Sequence, residues 1–476
     1  MKKKTVFISG HFNVLHPGHL RLLKFAKDNG DELVVGVESN KIAGDKAYVD
    51  EKIRLNSIKS ISWVDKAFIL RISVVDFIER NKPSIIVKGK EFENQSNLEN
   101  KILKQYGGKL IFSSGEKMFS SMDLLKKEFN FIDKNIIDKP TSFLRRHSIK
   151  TKKIKKILDN FSSLKICVIG DLIIDEYITC EPLGMSQEDP TLVISPIDST
   201  KFVGGAGIVA AHASGLGAKV DFLSVASKDE VFDFAKKKLK EYKVESKILL
   251  DLSRKTSLKQ RYRSQGKTLM RVSHLNQNSI QNSIQQKLYN TFRKRVKSYD
   301  LVVFSDFNYG CLPKKLVLKF IEICKKNKIK MVADCQSSSQ IGDITKYNKM
   351  NLLTPTEREA RVSTLNQDDG LIVLADLLQK KTHAENIILK LGEEGVIIHA
   401  LDNKKSIFNT DRVRALNKYP KDVAGAGDSL LISAAMSIAS GASIWEAAYI
   451  GSISSALQVG RVGNIPLSRK DLIEII

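Results

Sequence analysis

Apolar residues in this chain gather into short runs that end at glycine or at an acid. Thr5–Ser9 is one such run and Leu33–Val37 the next, with a helix-like stretch reaching Asn29 between them. That order predicts a strand–loop–helix–strand unit. The pattern returns further on. Lys165–Gly170 reads as a strand, Leu301–Asp306 and Lys330–Asp334 read as parallel strands ending in acids, and another strand precedes Thr354. A last apolar, helix-like run covers Ser429–Ala439. Strands alternating with helices predict an α/β fold. Ligands of such folds bind at the carboxyl ends of the strands.

The pattern lapses between Asp133 and Ser163, where Lys and Asp are frequent and Pro140, Arg145–Arg146 and Lys152–Lys153 fall. No strand is expected there, only a short helix over Ile154–Phe161. The layout that follows is a first domain over 1–135, a linker over 136–163 that buries little apolar surface, and a second domain over 164–476. No internal repeat relates the two halves.

With 476 residues and 42% hydrophobic content, the chain is long enough for two cores. Its five cysteines, Cys167, Cys180, Cys311, Cys324 and Cys335, form no CxxC pair. They suit reduced thiols rather than a disulfide framework. A signal-peptide core is missing, as is any run of about 18 apolar residues. The expectation is a cytoplasmic protein with no membrane partner. A formal net charge of +24 permits nucleic-acid binding. The lysines are spread along the chain, however, without a basic stripe of interleaved aromatics. A solvated surface that draws in phosphorylated substrates is expected, and no nucleic-acid partner.

Two motifs carry chemistry. The first is Asp422–Val423–Ala424–Gly425–Ala426–Gly427–Asp428, where three small residues enter the apolar helix-like run. Such a turn leaves backbone N–H groups at a helix N-terminus, ready for phosphate oxygens. Asp428 places a carboxylate beside them, and a base next to an anion hole is what phosphoryl transfer to a hydroxyl needs. A Gly-rich turn capped by Asp is the plainer alternative. The second motif, Gly10–His11–Phe12–Asn13–Val14–Leu15–His16–Pro17–Gly18–His19, follows the first strand. His16 and His19 can donate to phosphate oxygens, and Gly18 lets a nucleotide approach the backbone. As metal ligands the pair is weak, since no third ligand lies nearby.

The D-x-x-G-A-G-D pattern resembles the signature of the PfkB/ribokinase family of sugar kinases. That resemblance implies Asp428 as the base, with Gly425, Ala426 and Gly427 holding the transferred phosphoryl group. It also implies sugar binding by Asp171, Asp175, Gly204 and Gly205, nucleotide contacts near Gly392, and Mg²⁺ near Glu359 without direct protein ligands. The His-x-Gly-His motif resembles that of cytidylyltransferase-like nucleotidyltransferases. Val87–Lys88–Gly89 matches their V-K-G element, Arg54 an Arg in the following helix, and Phe119–Ser120–Ser121 a phosphate-binding turn. Gly10, Asn13, Gly18, Lys88, Gly89, Ser120 and Ser121 are therefore candidate nucleotide contacts.

Ser186–Gln187–Glu188–Asp189–Pro190, Ser305–Asp306–Phe307 and Leu352–Leu353–Thr354–Pro355 are similar to segments of the bifunctional ADP-heptose synthase family, here with swapped domain order. The resemblance implies a Rossmann-like nucleotidyltransferase domain and a ribokinase-like kinase domain. Its substrates would be ATP or another NTP and a phosphorylated sugar, with Mg²⁺ as cofactor, in a homo-oligomer, a dimer. Several positions depart from the pattern. Ile208 stands for an Asn, Tyr309 for a Lys, Cys335–Gln336 for Pro-Lys, Thr356 for an Asn, Asn13 for an Asp and Met122 for a Thr. These changes suggest an altered sugar, with Arg261, Arg263 and Arg271 as candidates for a distal phosphate. They also leave open a kinase half that only binds or dimerises. A basic nucleic-acid-binding protein on reused folds is the remaining alternative.

Overall fold

The computed structural model describes residues 3–13, 15, 17–89, 99–113, 137–264, 267–337, 340–401 and 409–476. The chain divides into two compact units, Met1–Phe131 and Ile132–Ile476.

The first unit is built on five parallel strands: β1 (Thr5–Gly10), β2 (Glu32–Glu38), β3 (Lys66–Leu70), β4 (Ile85–Gly89) and β5 (Lys109–Ser113). Their order in the sheet is β3-β2-β1-β4-β5. Alternate residues of β1 go to opposite faces. Val6 and Ile8 join Leu23, Val35 and Ile58 on one side, while Phe7 packs with Ile78, Ile86 and Leu103 on the other. The strand order reverses direction between β1 and β4, and a crevice at such a switch point is where doubly wound sheets take ligands. Gly10 closes β1 and Lys88–Gly89 closes β4, so both arrive at that place.

The second unit holds two sheets. In chain order its strands are β6 (Lys165–Gly170), β7 (Leu172–Met185), β8 (Leu192–Gly205), β9 (Lys219–Ala226), β10 (Glu245–Leu250), β11 (Ser257–Ser264) and β12 (Lys267–His274). There follow β13 (Leu301–Asp306), β14 (Lys330–Cys335), β15 (Leu352–Leu353), β16 (Asn386–Lys390), β17 (Val396–Ala400) and β18 (Thr410–Val413). The large sheet runs β10-β9-β6-β13-β14-β15-β16-β17-β18. It is parallel as far as β16, and β17 and β18 are antiparallel additions. The carboxyl ends of β13, β14 and β16 carry Asp306, Asp334 and Lys390. A separate sheet, β12-β11-β7-β8, holds Asp175, Lys259, Arg261 and Arg271.

The segment read as a linker departs from expectation. Its short helix exists, as Thr151–Asn160, and a second one forms at Thr141–Arg146. Neither is a solvated connector. Phe143, Ile154, Ile157, Leu158 and Phe161 are buried in the core of the second unit. Arg146 pairs twice with Asp411 at 2.9 Å, and the His147 ring stacks on Trp445 with centroids 4.1 Å apart. The apolar residues recur at helical spacing, and the lysines between them hid that face in a reading of composition alone.

Candidate functional site

A cavity of about 1010 Å³ opens in the second unit between the strand ends and the smaller sheet. Gly425–Asp428 forms one wall. Gly425, with φ of 75°, makes the left-handed turn into the Ala426–Ala439 helix. The N–H groups of Gly427 and Asp428 find no partner among the described residues. They point a helix N-terminus at the cavity, as an anion would require. Asp428 is buried, and burial first, then the neighbouring Asp334, pushes its carboxyl up to about 7. Gln336 donates to Asp428 Oδ1 at 3.2 Å and to Asp334 Oδ2 at 3.4 Å. Lys390 Nζ, 2.9 Å and 3.0 Å from the two Asp334 oxygens, completes the group.

Asp175, Gly205, Glu359 and Gly392 line the same cavity. Asp175 accepts from Asn464 Nδ2 at 3.1 Å and lies 3.6 Å from Arg261. The glycine at 204 does not line the cavity but serves Asp175, because a Cβ there would fall 2.2 Å from Asp175 Oδ2. Glu359 spends both oxygens on backbone. Oε1 accepts from Ser337 N at 2.9 Å and Oε2 from Thr356 N at 2.7 Å, the latter within a capping box. Thr356, where an Asn was expected, is therefore the cap of that helix.

Asp171 is not brought to the cavity. Its carboxylate accepts from the backbone N–H groups of Phe307, Tyr309 and Cys311 at 2.9, 3.3 and 3.1 Å. Burial and Asp306 push it up to about 6 against those donors. Ile208 is fully buried in its helix and also lies off the cavity wall. Tyr309 packs against Ile173 and Phe307, and Lys259 Nζ lies 5.2 Å from its ring centroid. Of the three candidate arginines, Arg261 and Arg271 line the cavity, whereas Arg263 stacks on Tyr177 at 4.9 Å. Lys259, Lys390 and Asn464 line it too, and sequence reading assigned none of them a role. Lysine in a strand reads as solvent-facing, and Asn464 meets Asp175 only across 289 residues.

In the first unit the candidate polar groups mostly hold loops. Asn13 Nδ2 donates to Lys46 O at 2.8 Å and its Oδ1 accepts from Tyr48 N at 3.0 Å. Arg54 is fully buried and donates to Val49 O, His11 O and Asn40 Oδ1 at 2.7, 2.6 and 2.7 Å. Lys88 pairs with Glu99 at 2.6 Å. His19 sits edge-on to Phe12 with centroids 5.3 Å apart, and Gly18 lies in the first turn of the Pro17–Asp28 helix. His16, Ser120 and Ser121 lie outside the described residues.

Among the described residues no group of three or more His, Cys, Asp or Glu could cage a metal. Glu359 lines the cavity, with both of its oxygens already accepting from backbone N–H groups. Nor is any described helix long and apolar enough to cross a membrane.

Comparison with known proteins matches residues 163–471 to the family described as pfkB family carbohydrate kinase, and residues 7–157 to the one described as Cytidylyltransferase-like. The second match runs on into the helices that pack in the kinase-like core. The Bifunctional protein HldE of Sulfurimonas denitrificans is 34% identical over 323 residues, 67% of this chain and 65% of that protein. That of Helicobacter hepaticus is 28% identical over 323 residues, 66% of this chain and 64% of that protein. The chain thus spans a little under two thirds of the length of these relatives. Among solved structures, phosphofructokinase-2 from Escherichia coli superposes with a TM-score of 0.53 at 14% identity, covering 66% of this chain and 98% of that one. Arabidopsis thaliana ribokinase, complexed with ribose and ATP, gives 0.51 at 16% identity with the same coverage. At such identities the likeness is one of fold.

Proposed function

The chain belongs to the pfkB family of carbohydrate kinases, and from that premise we propose that its second unit phosphorylates C1 of a heptose 7-phosphate-like sugar with ATP. The observation that carries this reading is Asp428 beside the open N–H groups of Gly427 and Asp428 in one cavity. In the proposed step the sugar hydroxyl gives its proton to Asp428 while its oxygen attacks the terminal phosphorus. The Gly425–Gly427 turn takes the charge on the phosphoryl oxygens. Asp175 orients the sugar, steadied by Asn464 and Arg261, and Asp171 keeps the 307–311 loop in shape. Mg²⁺ carried on the nucleotide would add charge neutralisation at the phosphates.

The first unit, in this reading, transfers a nucleotidyl group to the sugar 1-phosphate so formed, giving a nucleotide-activated heptose. The strand ends at Gly10 and Lys88–Gly89, together with Gly18 and His19 on the following helix, support a nucleotide site at the sheet's switch point. His16, Ser120 and Ser121 belong to the proposed set by resemblance. Asn13 and Arg54 enter as residues that shape its loops. Both substrates are those of the cytoplasm. A homodimer is supported by exposed apolar side chains at the outer ends of β7 and β8, Leu183, Met185 and Ile197.

The test is to incubate the protein with ATP, Mg²⁺ and a panel of sugar 7-phosphates and identify products by mass. A sugar bisphosphate followed by a nucleotide sugar is expected. ATP left intact with every sugar would overturn the kinase assignment.

A further inference from the structure

Resting on that kinase reading, we propose that Lys390 is a catalytic residue of the second unit, its ammonium meeting the phosphoryl group in transit from nucleotide to sugar. Lys390 is the last residue of β16, at the carboxyl end of the parallel sheet. Its side chain is only 11% exposed, yet it lines the cavity. The ammonium is held by Asp334 of β14, and a Cβ placed on Gly427 would come within 3.3 Å of it. So the cation stands against the turn where negative charge must gather. Gly425, Ala426 and Gly427 offer that charge only backbone N–H groups, and a fixed cation adds what they lack.

A scaffold role for the pair is the competing view. A buried pair of this kind often adds little stability, because desolvation offsets the attraction between its charges. This one opens on the cavity floor. Burial works against its charge, but Asp334, Glu359 and Asp428 outweigh burial and keep Lys390 protonated. Through the transfer it therefore gains and loses no proton. The bond from the sugar oxygen to phosphorus forms, the bond from phosphorus to the ADP oxygen breaks, and ADP leaves with that electron pair. The hydroxyl proton goes to Asp428. Lys390 contributes positive charge to the non-bridging oxygens, and the same charge favours the ionised form of Asp428.

The experiment compares the full chain with Lys390→Gln, Lys390→Met and Lys390→Arg, using the sugar phosphate the parent accepts. Lys390→Gln keeps a donor for Asp334 without the charge, so it serves if Lys390→Met fails to fold. Removing the charge should lower kcat by about 100-fold or more, as loss of one transition-state donor does, with KM for ATP changed far less. The acid limb of the kcat–pH profile should move to higher pH, and Lys390→Arg should restore part of the rate and the limb. A folded charge-free variant with kcat within threefold of the parent and an unmoved limb would overturn the role of Lys390 alone. A parent inactive with every sugar phosphate would overturn the kinase reading itself.

Discussion

The two units use their candidate polar side chains in opposite ways. In the second unit, Asp428, Gln336 and Lys390 converge from three segments on one cavity, with Asp334 bonded to Gln336 and Lys390 behind them, and backbone donors stay open. In the first unit, Asn13, Arg54 and Lys88 close their hydrogen bonds on neighbouring loops and on Glu99. The contrast teaches that a motif marks a place, whereas the availability of its atoms decides the role. Asp171 and Asp175 repeat the lesson four residues apart. One carboxylate is consumed by three backbone donors, and the other faces the cavity.

The strongest way to break the comparison is Asp428→Asn. Sugar phosphorylation should fall about 10²–10⁴-fold, with nucleotidyl transfer by the first unit unchanged. Two-substrate assays on one preparation decide it, and a parallel fall in both activities would merge the two sites. Stability should respond in the opposite sense. With its folded pKa raised to about 7, Asp428 binds a proton in the folded state that the unfolded chain has released, so its ionisation costs stability as pH rises through 7. Asp428→Asn should therefore melt above the parent at pH 8, with the gap closing towards pH 4. The parent's phosphorylation rate should fall as pH drops below about 7.

His19→Ala sharpens the contrast from the other side, cutting nucleotidyl transfer to a supplied sugar 1-phosphate by about 10²-fold or more while kinase turnover stays near the parent's. Phe143→Ala comes next. A fully buried Phe removed from a core costs about 3–5 kcal/mol, and the denaturation midpoint of the second unit should drop while that of the first holds. A matching drop in the first unit's transition would contradict the division at Phe131–Ile132. The smallest expected effect separates the two aspartates. Asp171→Ala should lower stability by about 1–3 kcal/mol, through three N–H groups left without an acceptor. Asp175→Ala should raise the KM for sugar more than it changes the melt. Equal KM shifts from both would return Asp171 to the sugar site.

Much of this was legible in the sequence. Short apolar runs closed by Gly or Asp gave the parallel strands, because a strand buried on both faces needs no alternation. The Gly425–Asp428 turn was legible because its conformation demands small residues. The helix expected over Ile154–Phe161 is present, but its burial and the Thr141–Arg146 helix escaped notice because lysines between apolar positions mask a helical face in composition. The smaller sheet went unseen, since β7 and β8 carry polar, exposed outer halves. Lys390 and Asn464 acquire meaning only from Asp334 and Asp175, 56 and 289 residues away. Ile208 and Tyr309 looked like losses at a sugar site and Thr356 like a change in the motif of Glu359, whereas they fill a helix, a hydrophobic contact and a cap.

The packing of Phe143 and the Thr151–Asn160 helix into the second core has a bearing on how such a chain could be assembled by gene fusion. A recombination breakpoint within residues 137–163 would strand part of a buried core on the wrong partner. The viable seam lies upstream of Ile137, so a swap in domain order has to carry these helices along with the kinase module as its leading edge. The kinase module is thus longer at its front than its catalytic motifs suggest, and any engineered rearrangement of the halves inherits that boundary.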